Sequence, residues 1–192
     1  MKKILNIPTF TRVTAPTDRF ITLAQAKQHL KVDTSTAENT LIEALINTAH
    51  ELAENYTRQL LGAQTWKLTI DELCGHYIFI DKYPVISIDS IVYVDSSGID
   101  QTVPTTDYQV DLLSNQTRIY FLNIPILFQY FILNAITVNF TAGLIECPSI
   151  LKSAMLLMIG HLYENRQDVV TGTQVAEIPM TSRYLMDKIK IY

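Results

Sequence analysis

Several residue types are scarce in this sequence, and each scarcity excludes a class of protein. The 192 residues include two cysteines, Cys74 and Cys147, which are too few for a secreted disulfide framework and form no Cys-x-x-Cys motif. The six glycines are scattered, so neither a phosphate-binding loop nor a dinucleotide-binding fingerprint can be written. With 15 basic and 19 acidic residues, the net charge of -4 disfavours tight binding of nucleic acid.

Catalytic and metal-binding signatures are also missing. The histidines lie in different predicted elements, and Cys74-Gly75-His76 is a single short pair of ligand types without a second pair. There is no Gly-x-Ser-x-Gly or His-Glu-x-x-His motif, and acid pairs such as Asp71-Glu72 lie on predicted strands and turns, where carboxylates are usually solvated. We therefore expect no catalytic residues, no metal, no cofactor and no enzymatic activity.

The first 20 residues lack both a helical period and a long apolar run. Pro8 and Pro16 interrupt them, so residues 1–20 are predicted to form an extended arm or an edge strand. The apolar residues behind Met1-Lys2-Lys3 are broken by Asn6, and the run is shorter than that of a signal peptide. We expect the protein not to be exported.

Charged residues are scarce, since they make up 18% of the sequence and hydrophobic residues make up 48%. One stretch contains no charged residue at all. Residues 119–145 contain no Asp, Glu, Lys or Arg, and the core of that stretch, 119–133, approaches the length that spans a bilayer. Polar and helix-breaking residues within it would be costly in hydrocarbon: Asn123, Pro125, Gln129 and Asn134. We expect a strand, an apolar loop and another strand, with no membrane contact. A membrane-associated protein that uses 119–133 is the alternative.

The patterns that are present predict an α+β fold, with a helical bundle that contains one long helix and an inserted antiparallel β domain. Helices are predicted over 22–31, 36–61 and 148–168. The first two begin with capping boxes, Thr22 to Gln25 and Ser35 to Glu38, and Gly62 is placed to stop the long helix. Pro148 suits the first turn of the third.

Between these helices, residues 64–141 change to a period of two. Six or seven short strands are predicted there, with hairpin turns at Asp95 to Gly98 and Leu113 to Gln116. Connections this short imply antiparallel pairing. After the third helix, a polar loop leads to an amphipathic piece from Thr181 to about Lys190.

Several segments of the sequence resemble those of one protein family and occur in the same order as in that family. The sequence from Ile21 to Asp33, the helix end from Glu54 to Leu61 and Gln64-Thr65-Trp66 are similar to the opening of the head-tail connector (head-completion adaptor) proteins of tailed bacteriophages and prophages. Further segments follow in that family's order: Tyr83 to Ile88, Asp107 to Asp111, Val138 to Gly143 and Gly160 to Arg166. The resemblance covers about residues 21–168, and the apolar stretch 122–133 departs from it.

This resemblance implies a structural virion protein in the neck between capsid and tail, assembled in the host cytoplasm. Such proteins form a ring of roughly a dozen subunits below the portal, extend the DNA channel and join the head to the tail. The implied partners are further copies of the chain, the portal protein, and a tail-side stopper or tail terminator protein. DNA would pass through without specific binding. The implied organisation is an N-terminal arm (1–20), a connector domain (21–170) and a C-terminal docking segment (171–192).

Three sets of residues are candidates for contacts in such an assembly. The channel-facing candidates are the acids of the long helix, Glu38, Glu43, Glu51 and Glu54, and an ordinary solvated face is the alternative that is more common for such acids. Portal-binding candidates are Arg183, Tyr184, Leu185, Lys188, Ile189 and Tyr192, with packing on the chain's own helices as the alternative. Subunit or partner contacts are expected from Phe128, Tyr130 and Phe131, unless they lie in the monomer core.

Overall fold

The chain divides into two units that alternate along the sequence. A computed structural model describes residues 8–16, 19–32, 36–73, 75–125, 133–166 and 180–191. The first unit, called here the β unit, comprises residues 1–17 and 63–143, and the second, the helical unit, comprises residues 18–62 and 144–192. The fold is therefore α+β, and neither unit is continuous in sequence.

The β unit contains two antiparallel sheets. Its strands are β1 (Thr9–Thr14), β2 (Gln64–Ile70), β3 (Tyr77–Ile80), β4 (Val85–Val94), β5 (Asp100–Thr102), β6 (Tyr108–Asp111), β7 (Thr117–Phe121) and β8 (Ile136–Ala142). The larger sheet has the order β1-β2-β8-β4-β5, and the smaller has the order β3-β7-β6. In β8, alternate residues are buried, as a strand with one face on the core requires.

The strands within the predicted β region match the sequence pattern closely. Seven of them lie between Gln64 and Ala142, and both predicted hairpin turns are present, one joining β4 to β5 and the other joining β6 to β7. In the first turn, the backbone N–H of Gly98 donates to the carbonyl of Asp95 at 3.0 Å. Part of the predicted arm is β1, the edge strand of the larger sheet, paired with β2.

The helical unit contains α1 (Leu23–Leu30), α2 (Asn39–Thr57), α3 (Ser149–Glu164) and α4 (Met180–Asp187). Its core is built from Ala, Ile, Leu and Met side chains, including the fully buried Ala26, Ala49, Ala53 and Ala154. The capping box at the start of α1 is confirmed, because the backbone N–H of Gln25 donates to Thr22 Oγ1 at 3.3 Å and the Gln25 side chain accepts from the Thr22 N–H.

The predicted long helix over 36–61 is shorter in the structure. It has 19 residues and ends where Arg58 adopts a left-handed conformation with φ 59°, so Gly62 is not its stop. The residues beyond it turn to pair with another segment, since the N–H of Leu144 donates to the carbonyl of Leu60 at 2.8 Å. This pairing lies outside any local helical pattern, so the apolar spacing alone overestimated the helix.

Two further helix ends differ from prediction. Glu38 is the N-cap of α2 and makes no side-chain capping bond, so the capping box from Ser35 to Glu38 is wrong; Ser35 itself lies outside the described residues. Pro148 is the N-cap of α3 rather than part of its first turn, and α3 ends at Glu164, where the N–H of Asn165 bonds to the carbonyl of His161. Residues 167 and 168 lie outside the described ranges.

Candidate interaction surfaces

The four acidic candidates on and before α2 have two different environments. Glu43 and Glu51 are exposed. Glu54 is partly buried, and its Oε1 accepts a hydrogen bond from the backbone N–H of Leu61 at 2.7 Å. Glu38 binds side chains at the end of α3. Glu54 and Glu38 therefore stabilise the chain's own fold, and Glu43 and Glu51 are the two whose carboxylates face solvent.

Glu38 forms a cluster with Tyr163 and Arg166, which we call the Glu38 clamp. The Tyr163 hydroxyl and the Arg166 Nη2, at 2.9 Å, both donate to the Glu38 carboxylate, and the Arg166 guanidinium lies 4.4 Å from the Tyr163 ring centre. The hydrogen bond from Tyr163, followed by that from Arg166, lowers the pKa of Glu38. The clamp ties the start of α2 to the end of α3.

A second cluster that also joins an acid, a tyrosine and an arginine lies at the other end of α2, and we call it the Tyr56 clamp. The Tyr56 hydroxyl donates to Asp187 Oδ1 at 2.5 Å and accepts from Arg183 Nε at 3.1 Å. The hydrogen bond to Asp187 raises the pKa of Tyr56. Lys190 adds a cation–π contact, with its Nζ 4.7 Å from the Tyr56 ring centre. The clamp fixes α4 to the C-terminal end of α2.

The portal-binding candidates on and after α4 divide in the same way. Leu185 and Ile189 pack against the core of the helical unit, and Arg183 belongs to the Tyr56 clamp. The C-terminal segment thus packs on the chain's own helices over 180–191. Tyr184 and Lys188 are exposed and adjacent, with the Lys188 Nζ 4.8 Å from the Tyr184 ring centre. Tyr192 lies outside the described residues.

The apolar candidates Phe128, Tyr130 and Phe131 also lie outside the described residues. The first three residues of the charge-free stretch 119–145 belong to β7, which ends at Phe121. Beyond it, Leu122 and Ile124 are exposed apolar side chains. No helix in the described ranges is long and apolar enough to cross a membrane.

The outward face of the smaller sheet is a surface that the sequence analysis missed. Tyr77 and Phe79 on β3 are each about half exposed, and the rings of Tyr77 and Tyr120 have centres 4.9 Å apart. Beside them on the same face, Arg118 forms an ion pair with Asp111. Tyr77 to Ile80 are all apolar, so no polar alternation marked which two of them face outward. The predicted hairpin turn at Leu113 to Gln116 places Arg118 opposite Asp111, and this pair of opposite charges could have indicated the outward face.

The remaining chemistry of the described residues is sparse. No group of three His, Cys, Asp or Glu side chains in the described ranges could hold a metal ion. Burial raises the pKa of the Cys147 thiol, which makes its reactive thiolate form less available. Cys74 lies outside the described residues.

The N-terminal part of the chain matches a known family model. Residues 20–89, which hold α1, α2, β2, β3 and the first part of β4, match the model described as phage gp6-like head-tail connector protein. Over these residues the chain is similar to that family. No curated protein matches the chain.

Solved structures share the fold of this chain over nearly its whole length. A chain in the neck of the empty gene transfer agent (GTA) particle, computed with C6 symmetry, is 20% identical with a TM-score of 0.77, over 96% of both chains. One in the virion of the native GTA particle is 21% identical with a TM-score of 0.75, over 95% of both chains. A third, in the native GTA neck computed with C12 symmetry, is 19% identical with a TM-score of 0.68, over 96% of both. At these identities the likeness establishes the fold.

Proposed function

We propose that the chain is a structural protein of the virion neck, which forms a ring below the portal, extends the DNA channel and joins the head to the tail. The observation that carries this proposal is the fold shared over 96% of the chain with a chain from a GTA neck. The connector family model over residues 20–89 supports the same role independently of the fold. The proposed role needs no catalytic residue.

The proposed assembly is a closed homo-oligomeric ring of about a dozen copies. The solved necks with this fold were computed with C6 and C12 symmetry, and twelve is compatible with both. A cyclic ring of identical chains uses two different surfaces on each copy, one for each neighbour. The exposed apolar side chains of the β unit supply surface of the kind that such contacts bury.

Glu43 and Glu51 are the proposed channel-facing residues, because their carboxylates are exposed whereas Glu38 and Glu54 bind within the chain. Acidic walls repel the phosphates of DNA and avoid the tight contacts that Lys and Arg would make. DNA could then pass without being held. The double variant Glu43→Lys and Glu51→Lys is expected to slow DNA exit from particles, and Glu164→Lys, at an exposed acid on α3, is the matched control. Equal DNA exit rates in the two variants would contradict a channel position.

The portal protein is the proposed partner of the exposed α4 surface, with a tail-side stopper or tail terminator protein at the other end of the ring. Tyr184 and Lys188 can contact a partner without displacing α4, since Leu185 and Met186 hold the helix on the core. Replacing Tyr184 and Lys188 by Ala is expected to weaken attachment to DNA-filled heads while the circular dichroism of the purified chain is unchanged. Unchanged attachment would exclude this surface.

Electron microscopy and native mass spectrometry test the ring itself. The purified protein, alone and mixed with a candidate portal protein, is expected to form rings of about twelve copies that stack on the portal. A chain that stays monomeric at high concentration and in the presence of the portal would refute the proposal. The alternative of a membrane-associated protein is not favoured, because Ile119 to Phe121 belong to a strand and no helix of the described residues is a candidate span.

A further inference from the structure

The outward face of the smaller sheet carries a groove that the proposed function leaves unassigned. Its volume is about 270 Å³, and it is lined by Tyr77, Gln109, Val110, Asp111, Arg118 and Tyr120. All six residues belong to β3, β6 and β7, so hydrogen-bonded strands hold the groove in shape.

The groove offers hydrogen-bond donors without offering net charge. Asp111 is already saturated, because it accepts from the backbone N–H of Leu113 at 3.0 Å, from Ser114 Oγ at 2.8 Å and from two nitrogens of Arg118. Its carboxylate fixes the Arg118 guanidinium and neutralises it. A guanidinium has five N–H groups, and within the described part of the chain those not used by Asp111 have no acceptor. A neutral ligand rich in carbonyl oxygens fits this arrangement better than a phosphate does.

Aromatic rings form the wall of the groove. Tyr77 and Tyr120 pack at 4.9 Å between ring centres, and Phe79 extends the wall with its ring centre 6.1 Å from that of Tyr77. Tyr77 and Phe79 are 49% and 47% exposed. Exposed Tyr and Phe beside an oriented Arg are typical of the centres of protein–protein interfaces. The ligand is therefore a segment of protein.

The chain itself exposes a segment with the complementary properties, Leu122 to Pro125. Leu122 and Ile124 are exposed, and the segment has no charge. The N–H groups of Leu122 and Asn123 are taken by the carbonyl of Asp107, at 2.8 and 3.3 Å, and Pro125 has no N–H. Across the described ranges, no donor reaches the carbonyls of Leu122, Asn123 and Ile124. The segment presents apolar side chains and hydrogen-bond acceptors, which the groove's rings and donors match.

We propose that the groove of one copy receives residues Leu122 to Pro125 of the next copy in the ring. The inference rests on the proposed ring and names one of its subunit contacts. Groove and segment are different surfaces of each copy, so the contact is heterologous and repeats around a closed ring. It also covers Leu122 and Ile124, the exposed apolar side chains that follow β7.

Cross-linking between singly substituted chains tests the contact. In a background with Cys74 and Cys147 replaced by Ser, a Tyr77→Cys protein is mixed with an Ile124→Cys protein, assembled into rings and treated with a short bis-maleimide. A cross-linked pair is expected from the mixture and not from either variant alone. The control mixture pairs Tyr77→Cys with Val13→Cys, whose position is exposed on β1, and should give no cross-link.

A charge placed on the segment gives a second measurement. Ile124→Asp is expected to raise the concentration at which half of the chains are assembled by about tenfold. Ile99→Asp, at an exposed position in the β4–β5 turn, is the matched control and should leave that concentration unchanged. Rings that form without the Tyr77–Ile124 cross-link would overturn this contact and leave the proposed function standing. A chain that never forms rings would overturn both.

Discussion

The two units of this protein fill their cores in different ways. In the helical unit, Ala26, Ala49, Ala53 and Ala154 are fully buried, and each described Phe and Tyr ring is at least partly exposed. In the β unit, the rings of Phe121 and Phe140 are fully buried. Helices that approach through alanines leave no volume for an added side chain, whereas sheets need large side chains to fill the space between layers. The helical unit should therefore suffer most from added volume and the β unit from lost volume.

Loss of volume in the β unit is expected to have the largest effect. Phe140→Ala removes a fully buried ring that meets Phe10 edge to face, with ring centres 6.4 Å apart, and should lower the free energy of unfolding by about 3–5 kcal/mol. The single tryptophan, Trp66, lies on β2 beside Phe140, so its fluorescence during urea unfolding measures this unit. Phe79→Ala at a half-exposed position is the control, with a change within about 0.5 kcal/mol. Equal losses would contradict the comparison.

Added volume in the helical unit is expected to come next. Ala53→Leu enlarges a fully buried residue of α2 and should cost about 1–3 kcal/mol, followed by helical circular dichroism in urea. Ala44→Leu makes the same change at an exposed position of the same helix and should stay within about 0.5 kcal/mol. If Ala53→Leu were tolerated, the close approach of the helices would not limit this core.

Breaking the Glu38 clamp should give a smaller, pH-dependent loss. The folded pKa of Glu38 is lowered from its ordinary value of 4.5, so the clamp stabilises the fold above that pH and its contribution disappears as the pH falls through the lowered pKa. Tyr163→Phe should therefore reduce the denaturation midpoint at neutral pH and approach the parent protein in acid. Tyr184→Phe, at an exposed tyrosine of α4, should have no effect at either pH. A Tyr163→Phe loss independent of pH would show that the hydroxyl does not act through Glu38.

The smallest effect on stability is expected from the ion pair between Asp111 and Arg118 in the β unit. Hydrogen bonds from Arg118, then Ser114 and Leu113, lower the pKa of Asp111 from 3.8 to about 2. Because this pKa is depressed, the pair contributes stability above about pH 4 that is lost as the pH falls through about 2. In NMR titrations the Asp111 carboxyl should be among the last to protonate, and Arg118→Gln should raise its pKa. An Asp111 that titrates at its ordinary value would contradict the bonded geometry.

The same contrast explains what could be predicted from the sequence. The hairpin turns at Asp95 to Gly98 and Leu113 to Gln116 were predicted, because their turn residues lie in the local sequence. The end of α2 was not, because the pairing of Leu60 with Leu144 stops it from more than 80 residues away. The same limit applies to the candidate acids, since the bonds that Glu38 makes to Tyr163 and Arg166 follow from packing and not from any motif.

The alternation of the two units along the sequence sets an order for folding during synthesis. The β unit has all of its strands once residue 142 has left the ribosome, although β1 must wait for β2 across the intervening α1 and α2. Those two helices carry an apolar face on which α3 and α4 pack, so their core stays incomplete until the end of translation. When the β unit is complete, α3 and α4 have therefore not yet been synthesised. A chaperone that binds apolar helices has its longest opportunity at that stage.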